Sequence, residues 1–462
     1  MKQDWSHISH VYLLGIGGIG MSALARYFMH LGKSVAGYDL TKTTLTEKLA
    51  SEGMSIVYEE SKSFFPTHFK KNNTLVIYTP AVPESHQVFS WLKKKGYTIY
   101  KRAQVLGMLC NTGRCIAVAG THGKTTVSSM LAVILKESSL GCGAFLGGIL
   151  KNYDSNLIFP EKDEQWLVTE ADEYDRSFLN LIPERVLITA IDPDHMDIYR
   201  NTSELKKAFM HFISQIKKGG KLIVNKNVGL NHPGPQKVQK LTYALEAEAD
   251  YCAENIRLVK ETYRFELVTP GGIIPDMILN YPGLVNVENA VAASALALES
   301  GVTPEEVKRG LALYKGVLRR FDIRFSDKNR VLIDDYAHHP KELEAVIQSV
   351  RKRYKGKKVT GIFQPHLFTR TRDLADGFAR SLDLLDTAVL IPIYPAREKP
   401  IEGITSELII RKMKNKNILS LEKEEVISWA LNTEWEILLI LGAGNIDKIA
   451  DRLTKELEAA HG

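Results

Sequence analysis

Short apolar runs recur along this chain, and most stop at glycine or at polar residues able to do chemistry. Val11-Tyr12-Leu13-Leu14 leads into a glycine turn. Then comes Met21-Ser22-Ala23-Leu24-Ala25-Arg26-Tyr27-Phe28, whose apolar spacing is helical. Runs at residues 34–38, 75–78, 97–100, 115–119, 166–169, 186–191 and 221–225 repeat the theme, as do 331–336, 358–363, 387–390 and 437–441. Continuous apolar runs of this length predict strands buried on both faces, and helical stretches between them predict parallel sheets. Residues 240–280 differ. There apolar and polar positions alternate, with Tyr263, Phe265 and Leu267 on one face, which predicts an added antiparallel sheet. Pro282-Gly283 then breaks the chain before an alanine-rich helix over residues 290–298.

At 462 residues the chain has room for about three domains. The pattern divides it into an N-terminal Rossmann-like domain (residues 1–108), a central P-loop ATPase-like domain with the added sheet (109–317) and a C-terminal Rossmann-like domain (318–462). The fold class is α/β. Hydrophobic residues make up 44% and charged residues 25%, a balance for large cores in water. The net charge of +6 is a mild excess that suits small anionic substrates. Lys93-Lys94-Lys95 and the basic stretch 351–358 are short and read as solvated faces, so no nucleic-acid partner is expected. Cys110, Cys115, Cys142 and Cys252 show no CxxC spacing, which argues against a disulfide framework or a zinc site. With no signal-peptide core and no bilayer-length apolar stretch, the expectation is a cytoplasmic protein without a membrane partner.

Two strand-to-helix turns have the form of phosphate loops. Gly15-Ile16-Gly17-Gly18-Ile19-Gly20 fits G-x-G-x-x-G, and the next strand ends at Asp39, placed to meet a ribose hydroxyl. That motif names a diphosphate, not a nicotinamide. The second loop is Gly120-Thr121-His122-Gly123-Lys124-Thr125-Thr126, between a strand and the helix 127–136. Backbone N–H groups at a helix N-terminus face an anion, glycines let it approach, and the lysine adds charge. The threonine hydroxyl can ligate Mg²⁺ beside the phosphates. The loop is shorter than a full Walker A string, because residue 118 is valine, and it encloses His122.

Acids gather near this loop. Strand 166–169 ends in Glu170-Ala171-Asp172-Glu173-Tyr174-Asp175, four acids in six residues that must be solvated, paired or metal-bound. Strand 186–191 ends in Asp192-Pro193-Asp194-His195-Met196-Asp197. Thr125, a carboxylate and an imidazole could complete an octahedral Mg²⁺ site with phosphate oxygens. No second histidine stands at the spacing that zinc hydrolysis uses. Residues 141–148 are glycine-rich and are expected to be mobile, able to cover a substrate. Asn286 and Asn289 share one helical face and could meet an adenine edge, and Asn286 could cap the helix, two roles that can coexist. Thr79-Pro80-Ala81 is a stiff turn at a strand end, either lining a ligand or structural. Arg102 is a surface charge or an anion contact. In the last third, polar strand tips recur at Ala337-His338-His339-Pro340, Gln364-Pro365-His366 and Tyr394-Pro395-Ala396-Arg397-Glu398.

A nicotinamide-dependent oxidoreductase would use the first loop and leave the second unexplained. A nucleotide-switched binding module would need only the second. A nucleotide-linked substrate together with ATP accounts for both, and suggests a carboxylate activated as an acyl phosphate and then attacked by an amine.

Together these strings resemble the Mur ligases of bacterial cell-wall synthesis. The resemblance covers nearly the whole chain. It rests on residues 15–22, 120–126, 170–179 (EADEYDRSFL), 194–197, 286–289, 319–322, 334–340 (DDYAHHP), 364–373 (QPHLFTRTRD) and 394–398. Within the family the strings are most similar to the branch that joins L-alanine to UDP-N-acetylmuramate, in the variety found in the Bacteroidetes lineage. The recycling branch, which attaches a murein tripeptide to the same UDP-sugar, shares the loops. Arg319-Arg320-Phe321-Asp322 and the 170–179 string favour the alanine branch.

The resemblance implies an ATP-dependent ligase of peptidoglycan synthesis, using Mg²⁺ with Mn²⁺ as a possible substitute, as a monomer or homodimer. It implies that Gly17, Gly18, Ile19, Gly20, Met21 and Ser22 meet the UDP-sugar diphosphate, with Asp39 near the uridine. Thr79, Pro80, Ala81, Arg102 and His122 would line the same substrate, His122 facing the muramoyl carboxylate or a nearby phosphate. Gly120, Thr121, Gly123, Lys124, Thr125 and Thr126 would hold the ATP phosphates, Asn286 and Asn289 the adenine, Arg320 the γ-phosphate and Asp335 the ribose. Thr125, Glu170 and His195 would serve the metal. His338, Arg370 and Arg372 are the candidates for the amino acid. Lys124, His122, Arg320 and His338 form the implied catalytic group, and the third domain is expected to close when nucleotide binds.

Overall fold

The computed structural model describes residues 5–162, 165–192, 198–199, 201–230, 238–396 and 398–460. Internal contacts divide the chain into two compact units. One comprises Met1–Arg257, Arg264–Asn280 and Glu288–Lys315, and the other Leu258–Tyr263, Tyr281–Val287 and Gly316–Gly462.

The first unit opens with a five-stranded sheet of β1 (His10–Leu14), β2 (Ser34–Tyr38), β3 (Ser55–Val57), β4 (Thr74–Tyr78) and β5 (Ile99–Lys101). Its order is β3-β2-β1-β4-β5, and all its pairings are parallel. The helices are α1 (Ile19–His30), α2 (Thr44–Ser51), α3 (Gln87–Lys94) and α4 (Arg102–Asn111). Chain order reverses direction between β1 and β4, and the crevice at such a switch point is where open α/β sheets take ligands.

The ten-stranded central sheet holds β6 (Arg114–Ala119), β7 (Cys142–Leu150), β8 (Ser155–Ile158), β9 (Trp166–Ala171), β10 (Arg185–Ile188) and β11 (Lys221–Asn225). It continues through β12 (Gln239–Ala244), β13 (Tyr251–Val259), β14 (Thr262–Thr269) and β15 (Gly272–Leu279). The order is β15-β14-β13-β12-β11-β10-β6-β9-β7-β8. The alternating segment 240–280 therefore extends the central sheet and does not build a separate one. The accompanying helices are α5 (Lys124–Lys136), α6 (Thr202–Ser214), α7 (Leu284–Glu299) and α8 (Pro304–Ala312).

Two expectations change here, at residues 97–100 and 141–148. The strand read at residues 97–100 is shifted to Ile99–Lys101. Residue 108 lies inside α4, and one continuous apolar core that includes Leu13, Phe28, Val105, Ala117 and Phe209 serves the first two sheets. Residues 141–148, read as a mobile cover, form most of β7. They pair with β9 on one side and β8 on the other, because glycines there admit close neighbours.

The last sheet consists of β16 (Asp322–Ser326), β17 (Val331–Asp335), β18 (Val359–Phe363), β19 (Thr387–Leu390), β20 (Ile418–Ser420) and β21 (Ile437–Leu441). Its order is β16-β17-β21-β18-β19-β20, parallel except for β16. Here α9 (Pro340–Arg353) follows β17, and α10 (Phe368–Leu382) follows β18. The central strands β17, β18 and β21 are buried along their whole length, including Asp334 and Asp335 at the end of β17. Among the described residues no helix is long and apolar enough to cross a membrane.

Candidate active site

The second glycine loop follows the tip of β6. Gly120 and Gly123 have φ of 129° and 80°, values that side-chain-bearing residues rarely adopt. The loop ends with Lys124 as the first residue of α5, so the N-terminus of that helix faces the loop. Thr121 N–H donates to Ala190 O at 3.0 Å, and Asp192 N–H returns a bond to Thr121 Oγ1 at 3.1 Å. The Thr189 hydroxyl donates to His122 O at 2.5 Å. The tip of β10 thus clamps the loop from one side. His122 Nε2 stands 3.5 Å from Asp192 Oδ2.

Lys124 Nζ donates to Gly120 O at 2.6 Å and to both carboxylate oxygens of Glu173, at 2.9 and 2.8 Å. Burial alone would lower the lysine's pKa, but the charges of Glu173, Asp172 and Glu170 outweigh it and hold the ammonium above its ordinary value. The Glu173 side chain is fully buried.

Thr125 Oγ1 donates to Glu170 Oε2 at 3.1 Å. Glu170 Oε1 accepts from Gly147 N–H at 2.6 Å and from Ser128 Oγ at 3.2 Å. A hydroxyl and a carboxylate at a helix N-terminus form an all-oxygen donor set that fits a hard divalent cation. His195 lies outside the described residues, so its expected share in that set has no geometry here. The other acids of the 170–175 string do not converge on one point. Asp172 lies 3.9 Å from Arg102, and Asp175 lies 3.3 Å from Lys101.

Asn289 lies beside the loop, since a Cβ built on Gly123 would come 3.0 Å from its Oδ1. Asn286 sits inside the first turn of α7 and donates to Pro282 O at 2.5 Å, so it is not the helix cap.

In the first glycine loop, Gly17 N–H donates to Asp39 Oδ2 at 2.7 Å, and Thr41 N–H donates to Oδ1 at 3.2 Å. Asp39 thereby holds the loop's backbone in place. Gly15 packs against Thr79 at the tip of β4, where an added Cβ would stand 2.5 Å from Thr79 Cγ2. Pro80 and Ala81, in the same turn, are exposed. Gly20 faces Arg102, whose Nη1 would lie 2.8 Å from an added Cβ. Gly17, Gly18, Ile19 and Gly20 are accessible, but Met21 and Ser22 are not. Both side chains are buried, and both N–H groups donate to Gly18 O. Helix α1 thus turns both side chains into the core, away from the accessible face of the loop.

In the second unit, Asp335 accepts from Phe321 N–H at 2.6 Å and from Ala337 N–H at 2.8 Å. Burial raises its pKa, which Arg320 partly counters. The Arg319 and Arg320 guanidinium groups lie 5.0 and 5.1 Å from the centre of the Tyr336 ring. His338 Nδ1 is 2.9 Å from Tyr336 O, and the His338 ring is 6.0 Å from that of His366. Burial pushes the pKa of His338 down to about 4, with Glu342 opposing and Arg370 adding to the fall. Arg370 and Arg372 are two residues apart on α10, so they point about 200° apart around the helix. Arg370 acts on His338, whereas Arg372 is turned toward solvent and pairs with Asp373 at 2.7 Å. Of the two candidate arginines, Arg370 is the one near His338 in this structure.

Models of three families match the chain in order. They are Mur ligase family, catalytic domain (residues 10–114), Mur ligase middle domain (118–297) and Mur ligase, glutamate ligase domain (319–444). A UDP-N-acetylmuramate–L-alanine ligase of Parabacteroides distasonis is 48% identical over 97% of both chains. One from Christiangramia forsetii is 44% identical over 98% of this chain and 99% of its own. The chain belongs to the Mur ligase family. The solved structure of the UDP-N-acetylmuramate–alanine ligase of Thermotoga maritima matches with a TM-score of 0.83 at 27% identity, covering 98% of this chain and 99% of its own. A murein peptide ligase of Psychrobacter arcticus shares the fold, with a TM-score of 0.72 at 22% identity over 96% of this chain and 98% of its own. The three α/β domains are those expected from the alternating strands and helices, and the family is the one that the motifs resemble.

Several residues of this Mur ligase emerge only in three dimensions. Nothing in the hydrophobic pattern separates Glu173 from its acidic neighbours, yet it is the acid whose carboxylate stands at hydrogen-bond distance from Lys124. Gly147 and Ser128 position Glu170 from β7 and α5. Asn156 joins β8 to the first loop: its Nδ2 donates to Ile19 O at 2.6 Å and to Ser22 Oγ at 3.0 Å. No sequence signal pointed to Asn156, because one buried asparagine on a short strand has no pattern.

Proposed function

We propose that the protein joins L-alanine to the carboxylate of UDP-N-acetylmuramate while ATP becomes ADP and phosphate, as a step of peptidoglycan synthesis. The observation that carries this is end-to-end identity of 48% to a relative so named, in a chain that keeps both phosphate loops. The functional divisions run over residues 1–108, 109–317 and 318–462, with α4 carrying the first limit.

The first loop takes the UDP-sugar through Gly17, Gly18, Ile19 and Gly20, with Arg102 and residues 79–81 beside it. The second takes ATP through residues 120–126, Lys124 meeting the β- and γ-phosphates. Mg²⁺ is the intended cation at Thr125 and Glu170, and when bound it neutralises phosphate charge. Attack of the muramoyl carboxylate on the γ-phosphate breaks the bond to the β-phosphate, releasing ADP and giving the acyl phosphate. The amine of L-alanine then attacks its carbonyl and phosphate departs. Both steps gather negative charge, which the cations of Lys124 and Arg320 would counter. His122, oriented by Asp192, faces the carboxylate end. Asn286 and Asn289 serve the adenine and Asp335 the ribose. His338, neutral at pH 7, and Arg370 serve the amino acid. The cytoplasm is the proposed location, in keeping with four free, buried cysteines.

The test is phosphate release from ATP with UDP-N-acetylmuramate, comparing L-alanine, a murein tripeptide and no acceptor. Stimulation by L-alanine is expected. Stimulation by the tripeptide alone would move the protein to the recycling branch, and no stimulation by either would end the ligase reading.

A further inference from the structure

An ammonium group has three protons, and all three of Lys124's are engaged by the protein: one on Gly120 O and one on each oxygen of Glu173. A phosphate oxygen can reach that charge only by displacing one of these acceptors. Gly120 O belongs to the loop backbone and stays. Glu173 is the acceptor whose negative charge would also repel the incoming phosphates.

The turn carrying Glu173 is braced. Its carbonyl accepts from Tyr199 Oη at 2.7 Å and from Arg176 N–H at 3.0 Å. Phe178 N–H reaches back to Asp172 O at 2.9 Å. Asp175 and Arg176 follow with φ of 52° and 54°, left-handed conformations that non-glycine residues keep only when their surroundings impose them. The backbone that carries the carboxylate is therefore held in place.

We propose that Glu173 is the resting counter-ion of the phosphate-loop lysine, and that nucleotide binding exchanges this carboxylate for phosphate oxygens. The proposal rests on the ATP-ligase reading above. Glu173 then acts as a gate on affinity: it keeps a buried cation satisfied while the loop is empty, and opposes adventitious nucleotide until the phosphates outcompete it.

The test is Glu173→Gln, which keeps the shape and one acceptor but removes the charge. ATP·Mg²⁺ and ADP·Mg²⁺ binding to the full-length protein is measured by calorimetry alongside the wild type. The variant is expected to bind both nucleotides roughly tenfold more tightly, about 1.4 kcal/mol. It is also expected to show a lower melting temperature without nucleotide and a larger upward shift with it. Unchanged or weaker nucleotide binding by a folded variant would overturn the proposal. Should the variant not fold, a wild-type structure with ADP decides: Lys124 Nζ is expected to have left at least one Glu173 oxygen for the phosphates, and a lysine still held by both would overturn it. Wild-type protein that binds no ATP would instead defeat the ligase reading itself, and the exchange with it.

Discussion

Replacing Gly147 with alanine sets a methyl carbon against Glu170. The added Cβ would stand 2.7 Å from Oε1 and 2.8 Å from Cδ, with Oε2 closer still. The carboxylate must retreat by about 0.7 Å or more to regain ordinary van der Waals separation. It has little freedom to do so, because Oε1 is held by Gly147 N–H and Ser128 and Oε2 by Thr125. Gly147 lies outside the left-handed region, so alanine suits its backbone and the strand should survive. The displacement thus falls on the proposed cation site and not on the fold. Moving a metal-site carboxylate or its supporting partner typically costs about 10- to 100-fold in metal affinity or activity. The assay is a Mg²⁺ titration of L-alanine-dependent phosphate release at saturating ATP and UDP-sugar. The Mg²⁺ midpoint should rise by about one to two decades, with the KM for the UDP-sugar unchanged. A normal midpoint and normal turnover in a folded Gly147→Ala protein would refute the assignment of Glu170 to the cation.

Two further outcomes follow from buried polar groups. Asn156→Ala should cost about 2–4 kcal/mol in urea unfolding, because it leaves Ile19 O and Arg26 short of a buried partner. It should also raise the KM for the UDP-sugar while leaving ATP affinity alone. For Asp334, burial lifts the carboxyl from 3.8 to about 7 despite Arg319. In that window the folded chain holds a proton that the unfolded chain has lost, so its contribution to stability falls as pH rises from about 4 through 7. Asp334→Asn removes this slope, and its stability relative to wild type should grow by up to about 4 kcal/mol between pH 4 and pH 8. Parallel stability curves for the two proteins would show that Asp334 is not the group responsible.

Much of the site was legible in one dimension because its parts are local. Gly120 and Gly123 answer to backbone geometry at a strand-to-helix turn, and Lys124 and Thr125 follow them in sequence, so the string itself carries the chemistry. The same holds for residues 15–20 with Asp39, and for the alternation of buried strands and helices that predicts the parallel sheets. Helical phase, which decides what an individual side chain faces, was harder to read across a whole motif. Met21 and Ser22 belong to the first loop's string, but α1 turns them into the core, and α10 sends Arg372 to solvent while Arg370 acts on His338.

What the chain alone determined, then, is its inventory of loops, strands and reactive residue types, since these depend on neighbours a few positions away. Tertiary structure decided the pairings: Glu173 with Lys124 across 49 residues, Gly147 with Glu170 across 23, Asn156 with Ile19 across 137. Each needs two strands or helices to arrive side by side, and that depends on strand order and on a core shared by two sheets. A glycine-rich run such as 141–148 looks slack by itself. It becomes a strand only because β8 and β9 flank it, and Gly147 acquires its meaning only because Glu170 lies within contact distance.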